Sequence, residues 1–313
     1  MGQNDNDTMN PLLKSCLLTL PFVVLYFGMR ALPVEPCEFL HEETYNEDGA
    51  LDYCGPGDAG FIDLSIRKWP LKLDFRSVDE PTVGEPCRFE MNLRQFDGSP
   101  LTADDVALSH TKKIHLLAVD ESLTDYQHLH PTADSLYDGV WKFELTPRNP
   151  GKYAVFLDFI PVRSPRRVLL KSSFKVVGQA QPAEQLSRET LPLAIQMGGN
   201  HYELMIPKVE GSAQDQSINL RLRVTDDSGK LSTLSPVMGA FAHMVAFDPE
   251  LNGFAHLHPL ENALPAKKDD LHPGELTFNF LPPKEGRYRL WAQLKLDGSA
   301  KETFVPFDLE VGI

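Results

Sequence analysis

The stretch HMVAFDPELNGFAHLHP (243–259) decides how this chain is read, because HLLAVDESLTDYQHLHP (115–131) anticipates it at an offset of 128 residues. Each begins with a histidine in an apolar run, passes through an acidic loop, and reaches His-Leu-His-Pro after a large aromatic. Asp120 corresponds to Asp248, Leu123 to Leu251, Tyr126 to Phe254 and Pro131 to Pro259. Beyond the histidines the second copy is about seven residues longer, and the match resumes with NPGKYAVFLDF (149–159) against KEGRYRLWAQL (284–294). Upstream, CRFEMNLRQFDGSPL (87–101) corresponds to INLRLRVTDDSGKL (218–231). The chain is read as an internal duplication.

Within each copy the apolar residues recur with period two. Phe89, Met91 and Leu93 alternate with polar neighbours, as do Ile218, Leu220, Leu222 and Val224, and Tyr288, Leu290, Ala292 and Leu294. Such alternation marks strands with one face buried. Turn-forming DGSP, DDSG, NPGK and KEG punctuate them, and no long amphipathic run says helix. Units of this size built from short strands imply an all-β protein, two tandem immunoglobulin-like β-sandwich domains after an N-terminal hydrophobic segment. The expected boundaries are a tail and signal-anchor segment at 1–34, a Cys-containing connector at 35–69, one sandwich at 70–178, a linker at 179–190 and a second sandwich at 191–313.

Length and charge narrow the function. The 313 residues carry 30 basic and 44 acidic side chains, a formal net charge of −14, with no Lys/Arg cluster long enough to read as a phosphate-binding patch. Nucleic acid is therefore not an expected partner. The apolar run SCLLTLPFVVLYFGM (15–29) lies between Lys14 and Arg30. It reads as a membrane anchor or signal peptide that exports an acidic body to the periplasmic or extracellular face, where a membrane or periplasmic protein is the expected partner. In that oxidising setting Cys37 and Cys54 suit a local disulfide, with Cys87 left over, and a weaker reading groups the pair with His41 as a metal site.

Alternation along a strand also places the histidines. His128 and His130 share one face. A four-residue hairpin loop at 120–123 then puts His115 opposite His128, and the same construction puts His243 opposite His256. Two groups result: His115, His128 and His130, and His243, His256 and His258. Three neutral imidazoles suit a borderline transition metal with one position left open. His110 in the first copy, and Met238 and Met244 in the second, lie nearby; thioethers turn the preference to copper, with zinc second. The same face carries Leu117, Val119 and Tyr126, or Phe241, Val245, Phe247 and Phe254, an apolar surface suited to a sandwich core. The competing reading is thus a packed polar cluster in a structural or protein-interaction module. His41, His201 and His272 stand alone.

These residues resemble a family of exported bacterial immunoglobulin-like domains with a GxxH strand, an acidic turn, H-[LV]-H-P and a GRYRL strand, often described as secreted or heavy-metal-associated. MGAFAHMVAFDPELNGFAHLHP (238–259) with EGRYRLWAQL (285–294) carries the closer match; LSHTKKIHLLAVDESLTDYQHLHP (108–131) with PGKYAVFLDF (150–159) lacks the glycine before its first histidine. The resemblance implies an exported sandwich that handles metal. No G-x-S-x-G, P-loop or H-E-x-x-H is present. The expected function is a membrane-anchored, non-enzymatic metal-binding module.

Overall fold

Strands with one apolar and one polar face must pair their apolar faces, and strands apolar on both faces need a covering on each side. Both kinds are present. In a computed structural model the described residues are 11–30, 43–45, 51–53, 60–65, 69–164, 166–179, 191–206, 217–261 and 266–312. Apart from a helix, Pro11–Arg30, and a short hairpin of Glu43–Tyr45 with Leu51–Tyr53, they form two antiparallel β-sandwiches. The first packs the sheet Leu71–Ser77, Cys87–Gln95, Val140–Leu145, Thr132–Ala133 against the sheet Val168–Val176, Gly151–Phe159, Ile114–Asp120, Tyr126–Leu129. In the second, the sheet Ala194–Met197, Asn200–Met205, Ile218–Asp226, Glu275–Phe280 faces a larger one in which Gly286–Leu296 lies beside Ala242–Phe247, followed by Gly253–Leu257. Met91, Trp141 and Phe143 meet Ile114, Leu116 and Ala118 in the first interior. Leu220, Leu222 and Phe278 meet Ala242, Met244 and Ala246 in the second.

The Cys87–Gln95 strand buries alternate residues, whereas all of IHLLAVD and all of AHMVAF are buried. The reason is a third apolar layer. Leu117, Val119, Tyr126 and Phe156 of the first sandwich pack against Val245, Phe247, Phe254 and Trp291 of the second. The apolar face that carries the histidines is therefore not a sandwich core; it is the seam between the sandwiches. Phe241 departs from that expectation and joins the interior of the second sandwich. Two cations lock the seam in matching ways. Arg289 donates from Nη1 to the Leu123 carbonyl at 2.9 Å, and Lys171 donates from Nζ to the Leu251 carbonyl. Leu123 and Leu251 are equivalent, and both adopt left-handed backbone, with φ of 60° and 53°.

That backbone corrects the expected register. Val119 pairs with Tyr126 and Leu117 with His128; Phe247 pairs with Phe254 and Val245 with His256. The connecting loop spans six residues, 120–125, instead of four. Asp120 Oδ1 holds it open by accepting the N–H groups of Thr124 and Asp125, each at 2.8 Å. Pairing is thus shifted by two residues. His115 is diagonal to His128, not opposite it, but a shift of two leaves every side chain on its original face.

The connector contributes to the second sandwich one strand that its sequence does not announce. Ile62–Asp63 pairs with Gly253–Phe254 at the edge of the larger sheet. A Cβ on Gly253 would lie 1.8 Å from the Ile62 carbonyl oxygen, so this approach demands glycine. Cys37, Cys54 and His41 lie outside the described residues; Cys87 is a buried free thiol. The Pro11–Arg30 helix carries Pro21 and exposes its apolar side chains, Leu18 and Phe22 among them. Among the described residues no helix is long and apolar enough to cross a membrane. The anchor expected of residues 1–34 is not met there.

Because Phe247 is fully buried in the seam against Tyr126 and Phe156, Phe247→Ala is expected to destabilise the chain by about 3–5 kcal/mol. Urea unfolding followed by tryptophan fluorescence measures it; a cost below about 1 kcal/mol would contradict the seam packing.

Candidate metal centre

The two histidine hairpins face each other across the seam. His115, His128 and His130 offer ring nitrogens that all lie within 4.8 Å of one another, and so do His243, His256 and His258. Each group of three is thus brought together. His201 is exposed, with Asp227 Oδ1 at 3.3 Å, and His272 packs on Phe241; neither joins the groups.

Hydrogen-bond partners fix which nitrogen of each ring carries the proton. His115 Nε2 lies 2.8 Å from the Ser109 carbonyl, which only accepts, so Nε2–H donates and Nδ1 keeps a lone pair. Gln293 donates its amide N–H to Glu302 at 2.6 Å, which turns its Oε1 to His128 Nδ1 at 2.7 Å. His128 therefore donates from Nδ1 and keeps its lone pair on Nε2. The two lone pairs, His115 Nδ1 and His128 Nε2, face each other at 3.0 Å. The second hairpin repeats the arrangement. His243 Nε2 donates to the Val237 carbonyl at 2.9 Å, and His256 Nδ1 approaches the carboxylate oxygen Asp158 Oδ2 at 3.5 Å. His243 Nδ1 and His256 Nε2 then face each other at 3.3 Å.

These partners are exchanged between the sandwiches. Asp158 pairs across its sheet with His115, and Gln293 with His243. Yet Asp158 serves His256 and Gln293 serves His128, each in the opposite sandwich. Burial alone would raise the Asp158 carboxyl, but the charge and hydrogen bonds of Arg167, at 2.6 and 2.8 Å, hold it well below the usual carboxylate range.

Two lone pairs face to face need a positive charge between them. At His115, His128, His130, His243 and His258 a proton is a poor one, because burial disfavours the charged form of each. Burial, reinforced by the charge of His256, lowers His115 to about 4. Burial and His115 lower His130 to about 3. Burial and neighbouring histidines push His128, His243 and His258 well down. The third ring of each group repeats the pattern: His130 Nε2 is buried without a hydrogen-bond partner, and His258 is buried with neither nitrogen partnered. Two nitrogens on one tetrahedral metal at about 2.05 Å stand about 3.3 Å apart; the facing pairs, at 3.0 and 3.3 Å, lie near that spacing.

His110 adds a seventh ring. It belongs to the first sandwich but stacks on His258, with ring centres 3.9 Å apart and planes at 24°. Sequence reasoning singled out His110 only as a neighbour of its own copy and missed Asp158 and Gln293. The signal for those two was available: they are the equivalent polar residues near the ends of the matched, mostly apolar runs YAVFLDF and YRLWAQL. Met244, invoked for copper, points the other way, into the second sandwich interior.

The chain belongs to the family defined by a domain of unknown function, DUF8832, which matches residues 71–170 and 197–312. No curated protein matches it in sequence. Among solved structures it is similar to the fibronectin(III)-like modules of Clostridium thermocellum CbhA, at 10% identity and a TM-score of 0.20, covering 76% of this chain and 94% of that one. It is also similar to a β-glucuronidase of Parabacteroides merdae, at 8% identity and a TM-score of 0.21, covering 76% and 24%. A Corynebacterium diphtheriae protein described as membrane anchored matches at 8% identity and a TM-score of 0.22, covering 77% and 57%.

A buried imidazole with two unpartnered nitrogens is destabilising unless something binds it. In metal-free buffer, His258→Leu is therefore expected to raise stability by about 1–3 kcal/mol. The urea midpoint of chelator-treated protein checks it; a lower midpoint for the variant would show that His258 is a stabilising part of a packed polar cluster.

Proposed function

We propose that the protein is a non-enzymatic metal-binding module that holds one transition-metal ion in each three-histidine group, in the seam between its sandwiches. The observation that carries this reading is the two pairs of facing ring nitrogens, His115 with His128 at 3.0 Å and His243 with His256 at 3.3 Å, each ring turned by an outer partner. An outer acceptor on the far ring nitrogen is the usual support of a metal-bound histidine. Three neutral nitrogens favour Cu²⁺ over the other divalent first-row ions, with Zn²⁺ next. Met244 no longer argues for Cu⁺, so the copper preference rests on the nitrogen donors.

His115 and His243 bind through Nδ1, and His128 and His256 through Nε2. His130 and His258 supply the third donor of each group. Burial of the rings supports a holding role over turnover, since it leaves a substrate little access. The apolar run between Lys14 and Arg30 supports export of this body as a signal segment, with a periplasmic protein as the partner that supplies or receives the ion.

Loading the full chain with Cu²⁺ or Zn²⁺, desalting it and measuring metal by plasma mass spectrometry is expected to give about two ions per chain. His256→Ala/His258→Ala is expected to retain about one, and adding His128→Ala/His130→Ala to retain none. Unchanged metal content in these variants would contradict the reading.

A further inference from the structure

The two groups are equivalent by sequence but not by surroundings. His243, His256 and His258 are all buried, whereas in the first group His130 is half-buried as a residue, with only its Nε2 covered. The difference has a structural source. His110 stands on a left-handed turn, with φ of 50°, and its ring covers His258 from the opposite sandwich while lying 5.6 Å from His243. The equivalent residue of the second copy is Met238, on the same kind of turn with φ of 49°. The duplication kept the turn but placed an imidazole on only one of the two.

We propose that the group His243, His256 and His258 is a closed site that keeps a resident ion, and that His115, His128 and His130 form an open site whose ion exchanges. This rests on the metal-binding reading and assigns the two sites different tasks. Closed sites with all donors supplied by the protein suit structural ions, and sites with an accessible position suit ions that react or move. At the open site exchange proceeds by ligand replacement. An incoming nitrogen or thiolate donor binds the ion as His130 leaves, and the charge on the ion does not change. The chemical class of the exchange partner is thus a small chelator or a protein side chain offering such donors. His110 acts as a lid over the closed site, not as its ligand, because its ring lies face to face on His258.

The test loads the full chain with Zn²⁺ and follows its removal by 4-(2-pyridylazo)resorcinol in a stopped-flow spectrophotometer. Two phases of equal amplitude are expected, separated by at least about tenfold in rate. His130→Ala, or His130→Gln should the first variant fold poorly, is expected to abolish the fast phase alone. His110→Ala is expected to speed the slow phase while leaving stoichiometry unchanged, and His110→Phe, which keeps the lid without its nitrogens, to preserve it. Two ions leaving in a single phase, or loss of the slow phase in the His130 variants, would overturn the inference while leaving the metal-binding reading intact. A chain that takes up no histidine-dependent Zn²⁺ would overturn both.

Discussion

Two imidazole lone pairs aimed at each other are an unstable arrangement in a buried seam, and the seam is built to enforce it twice. The Ser109 and Val237 carbonyls fix the proton on the far nitrogen of the first ring in each hairpin, and Gln293 and Asp158 fix it on the second. Each fixing group accepts, so each near nitrogen is left basic. Like dipoles at about 3 Å in a medium of low dielectric constant repel, and burial disfavours a relieving proton on His115, His128 and His243. In the proposed reading a dicationic metal would convert the same geometry into bonds. Docking of the sandwiches, the tautomers of the rings and the capacity to bind metal are thus one constraint.

Duplication explains how such a site is made. A histidine hairpin on one sandwich has an apolar outer face that water would leave costly and an outer partner it cannot supply to itself. A second copy, rotated onto the first, covers the face with Val245, Phe247 and Phe254 and returns the missing acceptor. The loop carbonyls of Leu123 and Leu251 show the same exchange, each capped by a cation of the other copy. The copies have since diverged where symmetry is not required: a carboxylate at 158 against an amide at 293, an imidazole at 110 against a thioether at 238. Asp158 carries its own neutralising partner in Arg167, as a buried carboxylate must, whereas the neutral Gln293 needs only the hydrogen bond from its amide to Glu302.

Much of this was legible in the sequence because strands report themselves through period two. Alternation at 89–93 and 218–224 marked the outer sheets, and the matched His-x-His spacing marked three rings per copy on a common face. Two features were hidden for physical reasons. The loop length followed from Asp120 accepting two backbone N–H groups, a local bond that turn propensities do not reveal, and it moved the register by two. The seam was hidden because an apolar face reads the same whether it meets its own sandwich or another. Only the continuous burial of IHLLAVD and AHMVAF, apolar on both faces, hinted that each strand had two coverings. With the seam unseen, the exchanged partners Asp158 and Gln293 could not be assigned, and the two groups looked independent.

The central claim concerns protons, so it is tested most directly by long-range ¹H–¹⁵N correlation spectra of the histidine rings in metal-free, uniformly ¹⁵N-labelled protein at neutral pH. The arrangement described here requires neutral rings protonated on Nε2 at His115 and His243 and on Nδ1 at His128 and His256, with the other four nitrogens unprotonated and shifting when Zn²⁺ is added. A proton shared between His115 Nδ1 and His128 Nε2, or between His243 Nδ1 and His256 Nε2, would contradict it and make the groups a self-contained hydrogen-bonded cluster.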